Sequence, residues 1–279
     1  MTQGNLEAFN EQLKAMYDDP MYRSMTRMWG ENINLGYFES PEDNLAEATR
    51  RANSKLARAA GLEPCMEILE VACGVGGASR YAVRHHGVRA VATNLSRDQL
   101  DIARELTEEA IADRISYEYA DFHDLPYLGA RFDVWWCATS VFHAVNKPRV
   151  LREALRVLRP GGRLVLTELT VSESVEPDRR TELSANAHSP GLWSAEHYDA
   201  QFEQLGFQCL EREDLSERGV WAWNRLPLEL ERLRPAIESD VGSKPLDATI
   251  ERYRMWQDAA AAGEVGYFLY VMRKPEAGR

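Results

Sequence analysis

Three glycines and one carboxylate stand together early in the chain. Residues 66 to 83 read MEILEVACGVGGASRYAV: an apolar run, then Gly74, Gly76 and Gly77, then the apolar side of a helix. Glycines let a backbone approach a ligand closely and take positive φ, and the following helix offers unpaired N–H groups. Such a turn binds something small. Glu70 lies inside the apolar run, where a carboxylate is costly unless it meets a polar group. A dinucleotide site would ask for G-x-G-x-x-G and an acidic residue about 20 positions further on. This chain has Ser79 in place of the last glycine and Asn94 at the end of the next strand, which fits a nicotinamide cofactor poorly.

More polar residues fall at the ends of later apolar runs: Asn94 with Leu95 and Gln99, Asp121 with Phe122, Ala138 before Thr139 and Ser140, then His143, and finally Glu168. In open α/β sheets a ligand sits at the carboxyl ends of the strands, so these positions belong to one crevice. His143, with an ordinary pKa of about 6.5, can accept a proton from a hydroxyl nucleophile. Glu168, at the neighbouring strand end, can orient it.

The elements that must position these residues follow from periodicity. After the glycine turn come a strand at 88–94, a helix at 97–113, strands at 115–121 and 132–138, a helix through KPRVLREALRVL ended by Pro160, Gly161 and Gly162, and a fifth strand at 163–169. Strands spaced by helical patterns predict a parallel sheet with helices on both faces. A helix from Ser194 leads into a sixth strand, FQCLERED, and VGYFLYVMRK ends the chain as the last strand. Residues 1–64 carry no strand pattern: a helix through Leu6 to Tyr17, a turn-rich aromatic segment with Tyr22, Trp29, Tyr37 and Phe38, and a helix from about Asn44 to Ala60. Residues 214–263 interrupt the alternation with Trp221, Trp223 and two helices, the second bearing Leu246, Ile250, Tyr253 and Trp256 at helical spacing.

Composition narrows the class. The chain has 279 residues, 44% hydrophobic and 28% charged, with a formal charge of −11. The negative balance disfavours a nucleic-acid partner, which needs clustered Lys and Arg. Cys65, Cys73, Cys137 and Cys209 show no metal or disulfide spacing and read as buried reduced thiols, so no metal is expected. No apolar run is long enough for a membrane span, and a cytoplasmic location is expected.

The run Glu70, Val71, Ala72, Cys73, Gly74, Val75, Gly76, Gly77 resembles the first motif of class I S-adenosylmethionine-dependent methyltransferases, close to (D/E)xGCGxGG, with Ala72 where glycine is usual. LREALRVLRPGGRLVLTEL resembles that family's helix-turn-strand segment, and the likeness runs from about residue 20 to 275. WGENINLGYF, TNLSRDQL and MWQDAAAAGEVGYFLYVMRK are most similar to two subgroups: the sarcosine and dimethylglycine N-methyltransferases, and bacterial methyltransferases of sugars and polyketides.

The resemblance implies a Rossmann-like, mostly parallel seven-stranded sheet with its last strand antiparallel. A helical N-terminal lid (1–64) and a helical cap (214–263) flank a core formed by 65–213 and 264–279. It further implies that Glu70, Gly74, Asn94, Gln99, Asp121 and Phe122 contact S-adenosyl-L-methionine, with Tyr22 and Trp29 over its methionine end; Leu95 and Ala138 join them as strand-end residues. The betaine enzymes usually carry His where this chain has Asn34, and a His-Tyr pair where it has VWAWN, which unsettles their substrate here. The expected activity is methyl transfer to an amine or hydroxyl of a small-molecule acceptor, by a monomer or homodimer. A nicotinamide-dependent oxidoreductase and a non-catalytic cofactor-binding module are the competing readings.

Overall fold

The computed structural model describes residues 3–276, without the side chains of residues 3–5 and 27. Three helices come first: α1 (Gln3–Tyr17), α2 (Pro20–Trp29) and α3 (Leu45–Ala60). A βα alternation follows: β1 (Glu67–Val71), α4 (Gly77–His86), β2 (Arg89–Asn94), α5 (Arg97–Glu105), α6 (Glu109–Ala112), β3 (Ile115–Tyr119), β4 (Phe132–Ala138), a 3-10 turn at Val141–His143, α7 (Lys147–Val157) and β5 (Leu158–Val171). Helices α8 (Pro177–Asn186) and α9 (Ala195–Gln204) lead to β6 (Gln208–Asp214). Three further helices, α10 (Ser216–Arg232), α11 (Arg234–Val241) and α12 (Ser243–Ala261), precede β7 (Val265–Arg273).

The strands form one sheet in the order β3-β2-β1-β4-β5-β7-β6. β1 to β5 pair in parallel, and β7 enters antiparallel between β5 and β6. The chain turns back across the sheet between β1 and β4, so the crevice at their carboxyl ends is the natural ligand position. Successive side chains point to opposite faces. Ile68, Trp136 and Val165 pack with α2, α3 and α10 to α12 on one side, whereas Leu69, Trp135 and Leu166 pack with α7 and α9 on the other.

Several local expectations change. The first part of the aromatic segment, Pro20–Trp29, is a helix, because the Asp19 side chain accepts from Met21 N–H and Pro20 fits the first helical turn, whereas Tyr37 and Phe38 lie in the loop that follows. The helix expected at 97–113 breaks into α5 and α6, and β3 stops at Tyr119. β5 begins at Leu158, so Pro160-Gly161-Gly162 lie inside a strand and the helix ends at Val157. The 214–263 stretch holds three helices, parted at Leu233 and at Gly242 with φ +83°. Cys73 and Cys137 are buried, but Cys65 and Cys209 are exposed, one ahead of β1 and the other on edge strand β6. Among the described residues no helix is long and apolar enough to cross a membrane.

Candidate active site

A cavity partly open to solvent lies at the sheet's turning point. Its floor is the carboxyl ends of the first three strands: Ala72 and Gly74, then Asn94, Leu95, Ser96 and Gln99, then Ala120 and Phe122. The β1–α4 turn takes left-handed φ at Ala72 (+52°), Gly74 (+55°) and Gly76 (+76°). The family's usual glycine at position 72 is thereby explained, and Ala72 holds the same turn under strain. Gly77 has no room for a side chain, because Glu31 and Asn32 lie against it. The buried Arg80 reinforces this contact, donating to the Val75 carbonyl at 2.6 Å and reaching Glu31 at 3.4 Å.

Asn94 is held by its own turn. Its amide nitrogen donates to Gln99 Oε1 (2.7 Å) and the Gly74 carbonyl (3.3 Å), while its oxygen accepts from Ser96 N–H (3.2 Å). Ser96 caps α5 by accepting from Gln99 N–H and also donates to Asp18 at 2.6 Å, which ties α5 to the end of α1.

The opposite wall carries His143. Its Nδ1 lies 2.9 Å from the His188 carbonyl and its Nε2 2.8 Å from the Tyr17 hydroxyl. A carbonyl only accepts, so Nδ1 must carry the proton and Nε2 must accept. Burial lowers the imidazole pKa to about 4, leaving a neutral ring at physiological pH. Burial likewise raises Tyr17 to about 12, so its hydroxyl stays protonated. Beyond these two, an aromatic series runs through Tyr22, Trp29, Tyr253, Trp223 and Trp256, each ring within 6.4 Å of the next.

Eight of the residues singled out in the sequence line this cavity: Tyr22, Trp29, Gly74, Asn94, Leu95, Gln99, Phe122 and His143. Four do not. Glu70 turns into the β1–α4 packing, where it accepts from Ser79 Oγ, and burial raises its pKa to about 7. Asp121 faces away: burial opposes its ionisation, but hydrogen bonds from His123 and from Asn10 (2.6 Å) hold its pKa below the usual value. Ala138 ends β4 beneath the wall, which continues at Thr139 and Ser140. Glu168 is fully buried, accepts from Leu169 N–H, and does not orient His143; a backbone carbonyl does that instead. Burial raises Glu168 to about 8 and lowers the nearby Lys147 to about 8. Sequence reasoning missed Tyr17, His188, Asn186 and Arg252 as wall residues. Tyr17 carried a signal, as an aromatic at the end of an amphipathic helix; Arg252, beside an apolar stripe, carried none.

Residues 68–162 match the methyltransferase domain family. An O-methyltransferase from Pyrenophora dematioidea is 30% identical over 209 residues, covering 73% of this chain and 78% of the relative. The chain belongs to the S-adenosylmethionine-dependent methyltransferases. The methyltransferase is also 29% identical to the 27-O-demethylrifamycin SV methyltransferase of Amycolatopsis mediterranei (strain S699), over 90% of this chain and 93% of that one. It is 27% identical to the sarcosine/dimethylglycine N-methyltransferase of Aphanothece halophytica, over 89% and 91% respectively. Among solved structures, one described as a sarcosine dimethylglycine methyltransferase from Galdieria sulphuraria shares the fold at a TM-score of 0.86 and 24% identity, covering 94% of this chain and 100% of that one. The cyclase SpnF follows at a TM-score of 0.83 and 26% identity, with 96% and 97% covered. S-adenosylmethionine is the cofactor and the acceptor is a small molecule; none of these relatives is an oxidoreductase.

Proposed function

We propose that this methyltransferase alkylates a hydroxyl group on a small, largely apolar acceptor, with His143 as the base. The observation that carries the reading is the fixed tautomer of His143, whose unprotonated Nε2 meets a hydroxyl, that of Tyr17, at 2.8 Å. An acceptor hydroxyl that displaces Tyr17 would find the same hydrogen-bond acceptor. A ring neutral down to about pH 4 is ready to take that proton throughout the physiological range. The cavity wall contains no Asp or Glu among the described residues, and its two cations are Lys14 and Arg252. That lining suits a neutral or anionic acceptor better than an ammonium group. The Pyrenophora relative, an O-methyltransferase, and the Amycolatopsis relative, a 27-O-demethylrifamycin SV methyltransferase, point the same way.

For the cofactor, the residues present fit. The close-approach turn at Gly74, the Asn94 amide and Phe122 would hold the nucleoside. The buried Trp29 Nε1 has no hydrogen-bond partner among the described residues and lies in the wall, where the methionine end would give it an acceptor. When bound, S-adenosylmethionine supplies an electrophilic methyl group on a sulfonium. The chain's own part is to align the acceptor oxygen, exclude water and receive the proton at His143 Nε2. In this reading residues 1–64 act as the lid and 214–263 as the cap, with Trp223 and Trp256 rather than Trp221 on the acceptor.

The test is S-adenosylhomocysteine release with phenolic and polyketide hydroxyl acceptors, run beside sarcosine and dimethylglycine. Turnover confined to hydroxyl acceptors is expected. Turnover with sarcosine or dimethylglycine alone would replace the hydroxyl reading with N-methylation.

A further inference from the structure

The strongest unexplained group in the cavity is the Arg252 guanidinium. It lies on α12, half-buried in the wall, and donates from Nη1 to His188 Nε2 at 3.2 Å. That is one of five donors. No other hydrogen bond and no carboxylate meets it among the described residues, although the chain has 44 acidic side chains. Its neighbour Glu251 turns instead to Arg254, at 3.9 Å. Some partly buried guanidiniums find carboxylates, as Arg131 does with Glu67, Arg179 with Glu264 and Arg234 with Glu231, Glu238 and Asp247, and others, Arg163, Arg180, Arg218 and Arg225, donate to backbone carbonyls; Arg252 does neither. A guanidinium in a cavity that meets only the His188 ring and, at 5.9 Å, the face of Tyr253 is placed for an anion that arrives from outside.

Its position says which ligand brings that anion. His188 is the link: its backbone carbonyl fixes His143 Nδ1, and its ring takes the hydrogen bond from Arg252. Arg252 is thus one residue away from the base. It stands with Tyr253 and Trp256 on the acceptor wall, while the Gly74, Asn94 and Phe122 floor lies at the ends of β1 to β3. We infer that Arg252 is an anion anchor for the acceptor, so that the molecule methylated here bears a carboxylate or similar anionic oxygen group near its reacting hydroxyl. The inference rests on the cavity being the acceptor site; it does not require that His143 be the base.

The fork of a guanidinium matches a carboxylate in two parallel hydrogen bonds, which an ammonium cannot reproduce. The experiment is a calorimetric titration of protein saturated with S-adenosylhomocysteine, using 4-hydroxyphenylacetate and the uncharged 4-hydroxyphenylacetamide as probes. The acid is expected to bind at least about tenfold more tightly than the amide, the usual size of a charge-assisted bond. Arg252→Gln should abolish that preference, Arg252→Lys should keep only part of it, and both should bind S-adenosylhomocysteine within about twofold of the parent, since only the anion anchor is changed. Equal binding of the two probes, no binding of either at millimolar concentration, or an acid preference that survives Arg252→Gln would overturn the inference. So would a loss of S-adenosylhomocysteine binding in a folded Arg252→Gln protein, which would assign the guanidinium to the cofactor's own carboxylate. If the acid preference depends on Arg252 but hydroxyl acceptors are not turned over, the hydroxyl reading fails and the anchor stands.

Discussion

His143 owes its chemistry to two neighbours and to burial. The His188 carbonyl claims the Nδ1 proton, and a ring closed off from water resists a second one. His143→Ala should therefore lower kcat on a hydroxyl acceptor by about 10² or more with little change in cofactor affinity. Tyr17→Phe provides the contrast: it frees Nε2 without removing the base, so a loss equal to that of His143→Ala would mean that the Tyr17 hydroxyl is itself part of the proton path. Because the imidazole titrates near pH 4, the kcat/KM profile above pH 5.5 should show no limb from this residue; a limb near pH 6.5 that vanishes in His143→Ala would contradict the burial.

At the scale of elements, the β1–α4 turn concentrates the sequence's demands. Ala72 holds a left-handed φ that costs an L-residue about 1–2 kcal/mol, so Ala72→Gly should raise stability by up to about 1 kcal/mol. Gly77→Ala should do the reverse, losing about 1–3 kcal/mol and weakening cofactor binding, because a methyl group there collides with the Glu31 and Asn32 segment. Paired thermal melts check both, and shifts of the same sign would refute this account of the turn. The turn was readable in the sequence because it is local: glycine spacing, an apolar strand and a helix within about twenty residues. The same holds for the parallel strands. Glu70 and Glu168 were misplaced because a strand-end position says which end of the sheet a side chain occupies, not whether it faces the crevice or a neighbouring helix. Tyr17, His188 and Arg252 come from α1, the segment after α8, and α12, and only tertiary packing brings these distant stretches to one wall.

The whole molecule carries buried acids whose protonation follows the fold. Burial raises Glu70 to about 7 and Glu168 to about 8 from unfolded values near 4.5, so the folded chain holds more protons than the unfolded one over that interval. Their contribution is fully present below about pH 4.5 and is lost as pH rises through about 7 to 8. His143 acts in the opposite sense: its lowered pKa gives a contribution that is present above about pH 6.5 and lost as pH falls towards 4. Burial lowers His86 and His188 in the same sense as His143, but above about pH 6.5 none of the three opposes the two acids, so the melting temperature should fall between about pH 6.5 and pH 8. Glu70→Gln, which can keep a hydrogen bond to Ser79, should flatten that slope. A melting temperature that rises across the interval would show that these acids are ionised in the folded protein.

The aromatic series across the cavity joins two stretches that lie far apart in the chain. Tyr17, Tyr22 and Trp29 come from α1 and α2, and Tyr253, Trp223 and Trp256 from α10 and α12, with the Tyr253 hydroxyl donating to Met25 Sδ at 3.7 Å. The two stretches flank the segment that supplies the cavity floor. A chimera that borrowed only one of them from a relative would bring half a wall shaped to a foreign partner, whereas exchanging both would leave the floor intact. Diversification of acceptors on this scaffold is in that sense a two-part edit, in which changes near the start of the chain and changes beyond residue 214 have to be inherited together.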